Sequence, residues 1–219
     1  MSLETEGLMT GRMVVESDLA FLSIPLRFLS LSDAYLDSAL RLCTVLKRSP
    51  RKSNYARSSV VLYLTFHAIE LFLKSAILER KPNEKLGHHD MQALSKRYKN
   101  LYLGKKYEFH APFIGGDAGD LSDDDLRALY GSEHIEEVRK HIKESKKKNP
   151  WDQRHRYPCN NEGQPWGGYV GFEPGSFLAE IKKLKADIAQ LAELIFLANN
   201  VLRGKPSKGS GLAIVHCEG

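Results

Sequence analysis

An apolar run over residues 60–78 constrains the fold of this chain more than any other feature. At about 100° per residue in a helix, its polar residues share one stripe about 80° wide, and apolar side chains cover nearly all of the remaining circumference. The stripe consists of Ser59, Tyr63, His67, Glu70 and Lys74. We therefore expect a helix that is largely buried. Its polar stripe is either a thin solvent-facing edge or the wall of a functional groove, and both interpretations stay open at this stage.

Amphipathic segments on both sides of this run predict further helices. Ser32 or Asp33 is a suitable N-cap for a first helix, and Pro25 is expected to interrupt any helix that starts earlier. The helical patterns cover residues 32–47, 54–80, 90–101, 122–130, 132–148 and 175–202. With no convincing series of strands, the sequence predicts an all-α fold, an antiparallel bundle of four to five main helices with long irregular loops.

The length of 219 residues suits one sizeable core, so we expect a single domain. Residues 1–30 are predicted as an N-terminal extension and residues 204–219 as a flexible C-terminal tail rich in Gly, Ser and Lys. The bundle itself is predicted over residues 31–203. Two irregular insertions are expected within it, at 102–122 and 149–175.

Charge and cysteine content limit the class of protein. The formal net charge of +5 and the pI of about 9.0 permit a phosphate-rich partner without requiring one. Three cysteines without CxxC spacing argue against a disulfide framework and favour a reducing cytoplasm. We expect no membrane span, because the polar stripe interrupts the best apolar candidate before it reaches the length of about 20 residues that a bilayer requires.

Two motifs in the central helix and after it resemble the HEPN superfamily of helical bundles. They are His-Ala-Ile-Glu-Leu-Phe-Leu-Lys-Ser-Ala at residues 67–76 and Gly-His-His-Asp-Met-Gln-Ala-Leu at residues 87–94. Arg-Tyr-Pro at residues 156–158 is similar to a stretch found in members of that family. The resemblance implies a small, often dimeric bundle of the kind found in ribonuclease toxins, in phage-defence systems and beside nucleotidyltransferase partners.

The resemblance also implies where a ribonuclease site would be sought. Ribonucleases of this superfamily have an arginine followed four to six residues later by a histidine. The chain departs from that pattern, since neither Arg154 nor Arg156 has a histidine at that distance downstream. His155 lies between the two arginines, and His67 would have to approach them through the fold.

The polar stripe carries the first set of candidate residues, Tyr63, His67, Glu70 and Lys74. Glu70 and Lys74 have the i,i+4 spacing of an ion pair, and Glu70 lies one turn from His67, where it would orient the imidazole. Such a group is suited to acid–base chemistry or to gripping a phosphate. The alternative is a satisfied structural network or a solvated edge.

The second set lies in the loop before the last helix, where Trp151, Arg154, His155, Arg156 and Tyr157 interleave cations with aromatic rings. This composition stacks on unpaired bases and neutralises phosphates. The alternative is a lid whose aromatic residues cover one end of the bundle.

Adjacent ligands rarely point at one ion, so His-His-Asp at residues 88–90 predicts a helix cap rather than a metal site. We expect no metal and no cofactor. The sequence thus favours a module that binds RNA or a nucleotide phosphate, and the resemblance implies a toxin–antitoxin or phage-defence setting.

Two alternatives remain open. One is a divergent, metal-independent ribonuclease in which His67 or His155 performs acid–base steps and Arg154 or Arg156 stabilises the developing charge. The other is a non-catalytic module that forms a homodimer or binds a cognate protein partner. All of them depend on whether the loop at residues 151–157, called the arginine loop below, meets the polar stripe in space.

Overall fold

The structure is a computed structural model, and it confirms an all-α helical bundle. It describes residues 19–49, 51, 54–87, 89–112, 124, 127, 131–148, 153, 156–160, 162–166 and 172–197. Five α-helices have described bounds: α1 (Ile24–Arg48), α2 (Tyr55–Arg80), α3 (Met91–Leu101), α4 (Ile135–Lys148) and α5 (Pro174–Ala192). The described residues contain no strand beyond one isolated antiparallel pairing of Cys159 with Pro165.

Helices α1 and α2 form an antiparallel hairpin that two buried hydroxyls hold in register. Ser32 Oγ of α1 donates to the Ala68 carbonyl of α2 at 2.7 Å. Ser75 Oγ of α2 donates to the Pro25 carbonyl of α1, also at 2.7 Å. Because both hydroxyls are satisfied across the interface, the contact between the helices carries no unpaired polar group at these points.

The prediction that α1 is capped at Ser32 or Asp33 is wrong. The helix begins at Ile24, and Pro25 lies in its first turn. A proline is tolerated there because the backbone N–H that it lacks would have no intrahelical acceptor in any case. Ser32 instead lies fully buried inside the helix.

Helix α2 is the centre of the bundle, contacted by α1, α3 and α5. Its N-cap is Asn54, the first residue of the predicted helix, and the Asn54 side chain accepts a hydrogen bond from the Arg57 backbone at 3.0 Å. From Ala68 to Leu78 every side chain is buried. The all-round apolar surface of the run is therefore covered by neighbouring helices, as expected of a core helix.

The expectation that the chain has no membrane span stays a prediction, although α2 passes a test of length and hydropathy despite its polar stripe. By length and hydropathy α2 is the one helix in the described part of the chain that is long and apolar enough to cross a bilayer. However, 78% of its most apolar window is buried inside the protein. Length and hydropathy alone therefore do not distinguish a membrane-spanning helix from the buried core helix of a bundle.

Helix α3 and the segment after it close one side of α2 with aromatic rings. Tyr98 and Phe109 pack against Phe72 of α2, with ring centroids 6.0 and 5.4 Å away. The Tyr102 hydroxyl donates to the Ala76 carbonyl of α2 at 2.8 Å. A 3-10 turn at Lys105–Tyr107 follows α3. Tyr102 and Ala111 are buried in the core, so part of the predicted insertion at 102–122 contributes to it.

Helix α5 packs along α1 through one apolar seam. The buried side chains of this seam are Leu178, Ile181, Leu184, Ile188 and Leu191. Lys185 adds ion pairs to Asp37 and Asp33 of α1. A π-helical turn at Glu193–Leu197 continues the helix and buries Ile195 and Phe196.

The predicted helices at 54–80, 90–101 and 132–148 correspond to α2, α3 and α4. The predicted end of the last helix near residue 202, and the tail after it, lie outside the described residues. Most of the predicted helix at 122–130 and part of each insertion lie outside them as well.

Candidate functional site

The polar stripe of α2 contains a buried carboxylate surrounded by nitrogen donors. The Glu70 side chain is only 2% exposed. Lys74 Nζ lies 2.6 Å from Glu70 Oε1, and His89 Nδ1 lies 2.9 Å from the same oxygen. His67 Nδ1 approaches the other oxygen, Oε2, at 3.5 Å. Both carboxylate oxygens therefore have partners, as a buried charge requires.

These partners decide the charge of Glu70. Burial alone would raise the pKa of its carboxyl group. The hydrogen bonds from His67 and Lys74, together with the charges of Lys74 and His89, outweigh burial and lower the pKa to about 2. Glu70 is thus ionised at neutral pH, and Lys74, itself only 8% exposed, has its counter-charge within the protein.

His67 connects this cluster to an aromatic surface. Its ring is stacked on Tyr63 of the same helix, with centroids 5.7 Å apart and an angle of 11° between the planes. Tyr35 of α1 meets the imidazole edge-on at 4.7 Å. An ionised carboxylate can only accept hydrogen bonds, so contact with Glu70 favours the tautomer of His67 with its proton on Nδ1. The side chain remains 23% exposed.

The arginine loop reaches this surface at Tyr63. The Arg156 guanidinium lies over the Tyr63 ring at 5.5 Å and beside the Tyr157 ring at 5.7 Å. Together with Val60, these three residues line an open cavity of about 280 Å³. Arg156 is therefore bracketed by two aromatic rings at the mouth of a cavity, an arrangement in which cation–π attraction fixes its position.

The loop around Arg156 is held by its own hydrogen bonds. The Arg156 and Tyr157 backbone amides both donate to the Gln153 carbonyl at 2.9 Å. Trp166 Nε1 donates to the Tyr157 carbonyl at 2.6 Å, and the chain between them is closed by the Cys159–Pro165 pairing. The part of the loop that carries Arg156 thus has a defined turn structure, although the sequence predicts only irregular structure there.

The structure brings together six of the predicted site residues: Tyr63, His67, Glu70, Lys74, Arg156 and Tyr157. They form a continuous series of contacts from Arg156 through Tyr63 and His67 to Glu70. The other three predicted residues, Trp151, Arg154 and His155, lie outside the described residues.

Sequence reasoning missed the contribution of His89 to this cluster. The motif at 88–90 predicts a helix cap, and that prediction is confirmed, because Asp90 caps α3 by accepting from the Ala93 backbone at 3.0 Å. The cap also places His89 against Glu70, although its ring remains 52% exposed. A histidine before a cap residue carries no local signal of such a partner in the preceding helix.

Two further observations bear on the chemistry of the site. The Ser59 hydroxyl, one turn before Tyr63, is buried without a hydrogen-bond partner among the described residues. No group of three or more His, Cys, Asp and Glu side chains in the described ranges is arranged to hold a metal ion. Among the described side chains, the Arg156 guanidinium, the oriented His67 imidazole and the rings of Tyr63 and Tyr157 are the groups that the site offers to a ligand.

Comparison of the chain with protein-family models, with curated proteins and with solved structures gives no significant match. The function must therefore be argued from the site itself.

Proposed function

We propose that this protein binds RNA, or a nucleotide, through its phosphate and base at the cavity formed by Val60, Tyr63, Arg156 and Tyr157. The observation that carries the proposal is the Arg156 guanidinium, held over Tyr63 and beside Tyr157 at the cavity mouth. A guanidinium recognises phosphate through two parallel hydrogen bonds. Tyrosine rings stack on unpaired bases of any sequence, at about 1–3 kcal/mol per base.

The surroundings of Arg156 suit an unpaired nucleotide better than a duplex. Tyr157 is 53% exposed, so one ring of the bracket is open to a stacking partner. A paired base keeps its faces inside the helix, whereas a single-stranded base offers them to protein side chains. We expect recognition to depend on stacking and charge, with little discrimination between bases.

The resemblance to the HEPN superfamily agrees with this proposal. It supplies the proposed setting, a cytoplasmic toxin–antitoxin or phage-defence system. The same proposal includes assembly of the protein as a homodimer or as a complex with a cognate protein.

A second function, metal-independent RNA cleavage, is favoured by one specific observation. Glu70 holds Nδ1 of His67, which leaves Nε2 as the atom able to exchange a proton with a ligand. None of the described residues hydrogen-bonds Nε2. Arg156, connected to His67 through Tyr63, would stabilise the negative charge that develops on the phosphate.

One experiment tests both functions. End-labelled single-stranded RNA is titrated with the protein in the presence of EDTA, and the same samples are run on native and denaturing gels. We expect a retarded complex that Arg156→Ala weakens by about tenfold or more, since a charged hydrogen bond contributes about 1.5–3 kcal/mol. Arg127→Ala is the matched control, because Arg127 is an exposed arginine paired with Asp124.

The outcomes separate the two functions. EDTA-resistant cleavage that Arg156→Ala and His67→Ala abolish would establish a ribonuclease. Binding without cleavage would leave the binding module alone. If Arg156→Ala binds as tightly as Arg127→Ala and the unsubstituted protein, the cavity is not the RNA site and the proposal fails.

A further inference from the structure

One segment has an excess of positive charge equal to the net charge of the whole chain. Residues 80–108 contain eight Lys and Arg against three Asp and Glu. This excess of five equals the formal net charge of the whole protein, so the remaining residues are neutral by count. A surplus gathered in one segment, rather than spread over the surface, creates a local field that attracts polyanions.

The fold places five of these cations on α3 or next to it. The sequence of α3 contains no acidic residue, and its exposed Lys96 and Lys99 are followed by Lys105 and Lys106 in the next turn. Arg80, the last residue of α2, completes the group. These five exposed side chains, Arg80, Lys96, Lys99, Lys105 and Lys106, are called the α3 basic surface below.

Aromatic rings hold two of these cations in place. The Arg80 guanidinium lies over the Tyr102 ring at 5.3 Å, and Lys106 Nζ lies over the Tyr107 ring at 5.0 Å. The two rings contact each other, with centroids 5.3 Å apart. Tyr102 is itself fixed by its hydrogen bond to α2. Cations positioned in this way lose less conformational freedom when they bind an anion than freely rotating side chains do.

Within the described part of the chain, no acidic side chain forms an ion pair with the α3 basic surface. Among the cations of residues 80–108, Arg97 forms an ion pair with Glu84 at 3.2 Å. The five members of the surface form no ion pair with any described residue. The described acidic side chains therefore leave these charges available to a partner.

This surface is separate from the cavity at Tyr63. Arg80 lies 17 residues after Tyr63 on the same helix, which is about 26 Å at 1.5 Å per residue. A mononucleotide in the cavity would not reach it. A ligand that contacts both sites must be a polymer.

We propose that the α3 basic surface binds the phosphate backbone of single-stranded RNA, as a sequence-independent contact site in addition to the cavity. Charge complementarity identifies the partner as a polyanion. Leu103, 77% exposed, is the only large apolar side chain that is exposed between residues 80 and 108 in the described part of the chain. An interfacial membrane helix inserts a broad apolar face, which this surface does not have.

The test measures how binding depends on salt. Fluorescence anisotropy with labelled oligouridylate, long enough to span both sites, gives the dissociation constant over a series of salt concentrations. Each phosphate contact on a single strand contributes about 0.7 to the slope of log K against log salt. We expect Lys105→Glu/Lys106→Glu and Lys96→Glu/Lys99→Glu each to weaken binding by at least about tenfold and to reduce the slope by about 1.4.

Lys182→Glu/Lys183→Glu is the matched control, because it makes the same charge change at two exposed lysines of α5. Circular dichroism confirms that each variant keeps its helices. If both α3 variants bind RNA like this control, with an unchanged slope, the proposal is overturned. Binding to phosphatidylserine vesicles is measured for the same variants. The proposal is equally overturned if the α3 variants keep RNA binding but lose binding to these vesicles.

The cavity and the α3 basic surface can fail independently. Arg156→Ala is expected to weaken binding of a short oligouridylate of about four nucleotides, on which the α3 variants have little effect. If the α3 variants bind RNA normally while Arg156→Ala weakens binding, only the α3 basic surface is rejected. If the α3 variants weaken binding and Arg156→Ala does not, only the cavity is rejected.

Discussion

Replacing Glu70 with Gln tests the buried cluster most directly. The change keeps the size of the side chain but removes the charge that faces Lys74, His67 and His89. The folded pKa of about 2, against 4.5 for a free carboxyl group, corresponds to about 3 kcal/mol of stability at 1.36 kcal/mol per pKa unit. We therefore expect Glu70→Gln to lower the free energy of unfolding by about 3 kcal/mol at neutral pH. Urea denaturation followed by circular dichroism measures it.

The pH dependence gives this prediction a second readout. Because the folded pKa is depressed, the stabilisation is fully present above 4.5 and disappears as the pH falls towards about 2. The difference between Glu70→Gln and the unsubstituted protein should shrink over the same range. Glu180→Gln is the control, since Glu180 is 44% exposed and lies 3.5 Å from the exposed His110. It should change stability by less than about 0.5 kcal/mol. A loss below about 1 kcal/mol for Glu70→Gln, or a difference that does not vary with pH, would refute the electrostatic account of the cluster.

Three further changes test the rest of the fold. Burial, with a smaller effect from the charge of Glu173, raises the pKa of Cys43 to about 11 even though Lys47 opposes it. A thiol reagent near pH 8 should therefore label Cys159 well before Cys43, as read by peptide mass spectrometry, and equal labelling rates would contradict the burial of Cys43. Phe72→Ala should cost about 3–5 kcal/mol in urea denaturation, because its fully buried ring packs against α3; a cost near 1 kcal/mol would mean that the core collapses around the gap. Asp90→Ala should cost about 0.5–2 kcal/mol through loss of the α3 cap, and no change would show that the cap is dispensable.

The helices of the bundle could be predicted from local pattern. The apolar run at 60–78 predicts a buried helix because its side chains leave only a narrow polar stripe, and α2 is buried in that way. The cap at Asp90 could be identified because capping depends on residues only a few positions apart. The start of α1 could not, because a proline both ends and begins helices, and only packing against α2 decides between the two.

The site could be predicted only in part. The i,i+3 and i,i+4 spacings place His67 and Lys74 around Glu70, and the contacts are present. The contacts of Glu70 with His89 and of Tyr63 with Arg156 join residues on different elements. Such pairs follow from the path of the loops, for which the sequence has no periodic signal. The interleaved cations and aromatics at 151–157 identified a candidate loop, whereas its partner had to come from the fold.

The hairpin of α1 and α2 also has a consequence for synthesis of the protein on the ribosome. Its two interhelical hydroxyl contacts join residues 36 and 50 positions apart, so the hairpin is complete in sequence once residue 80 has been added. The wall of the cavity at Arg156 follows 76 residues later, after about 4–15 s of translation at 5–20 residues per second. During that interval the nascent chain contains the helix that carries Tyr63 and Glu70 but not the residues that complete the cavity. Until α3 and α5 have been made, the apolar faces of α2 that they cover have no partner within the chain, and the cavity is not yet assembled.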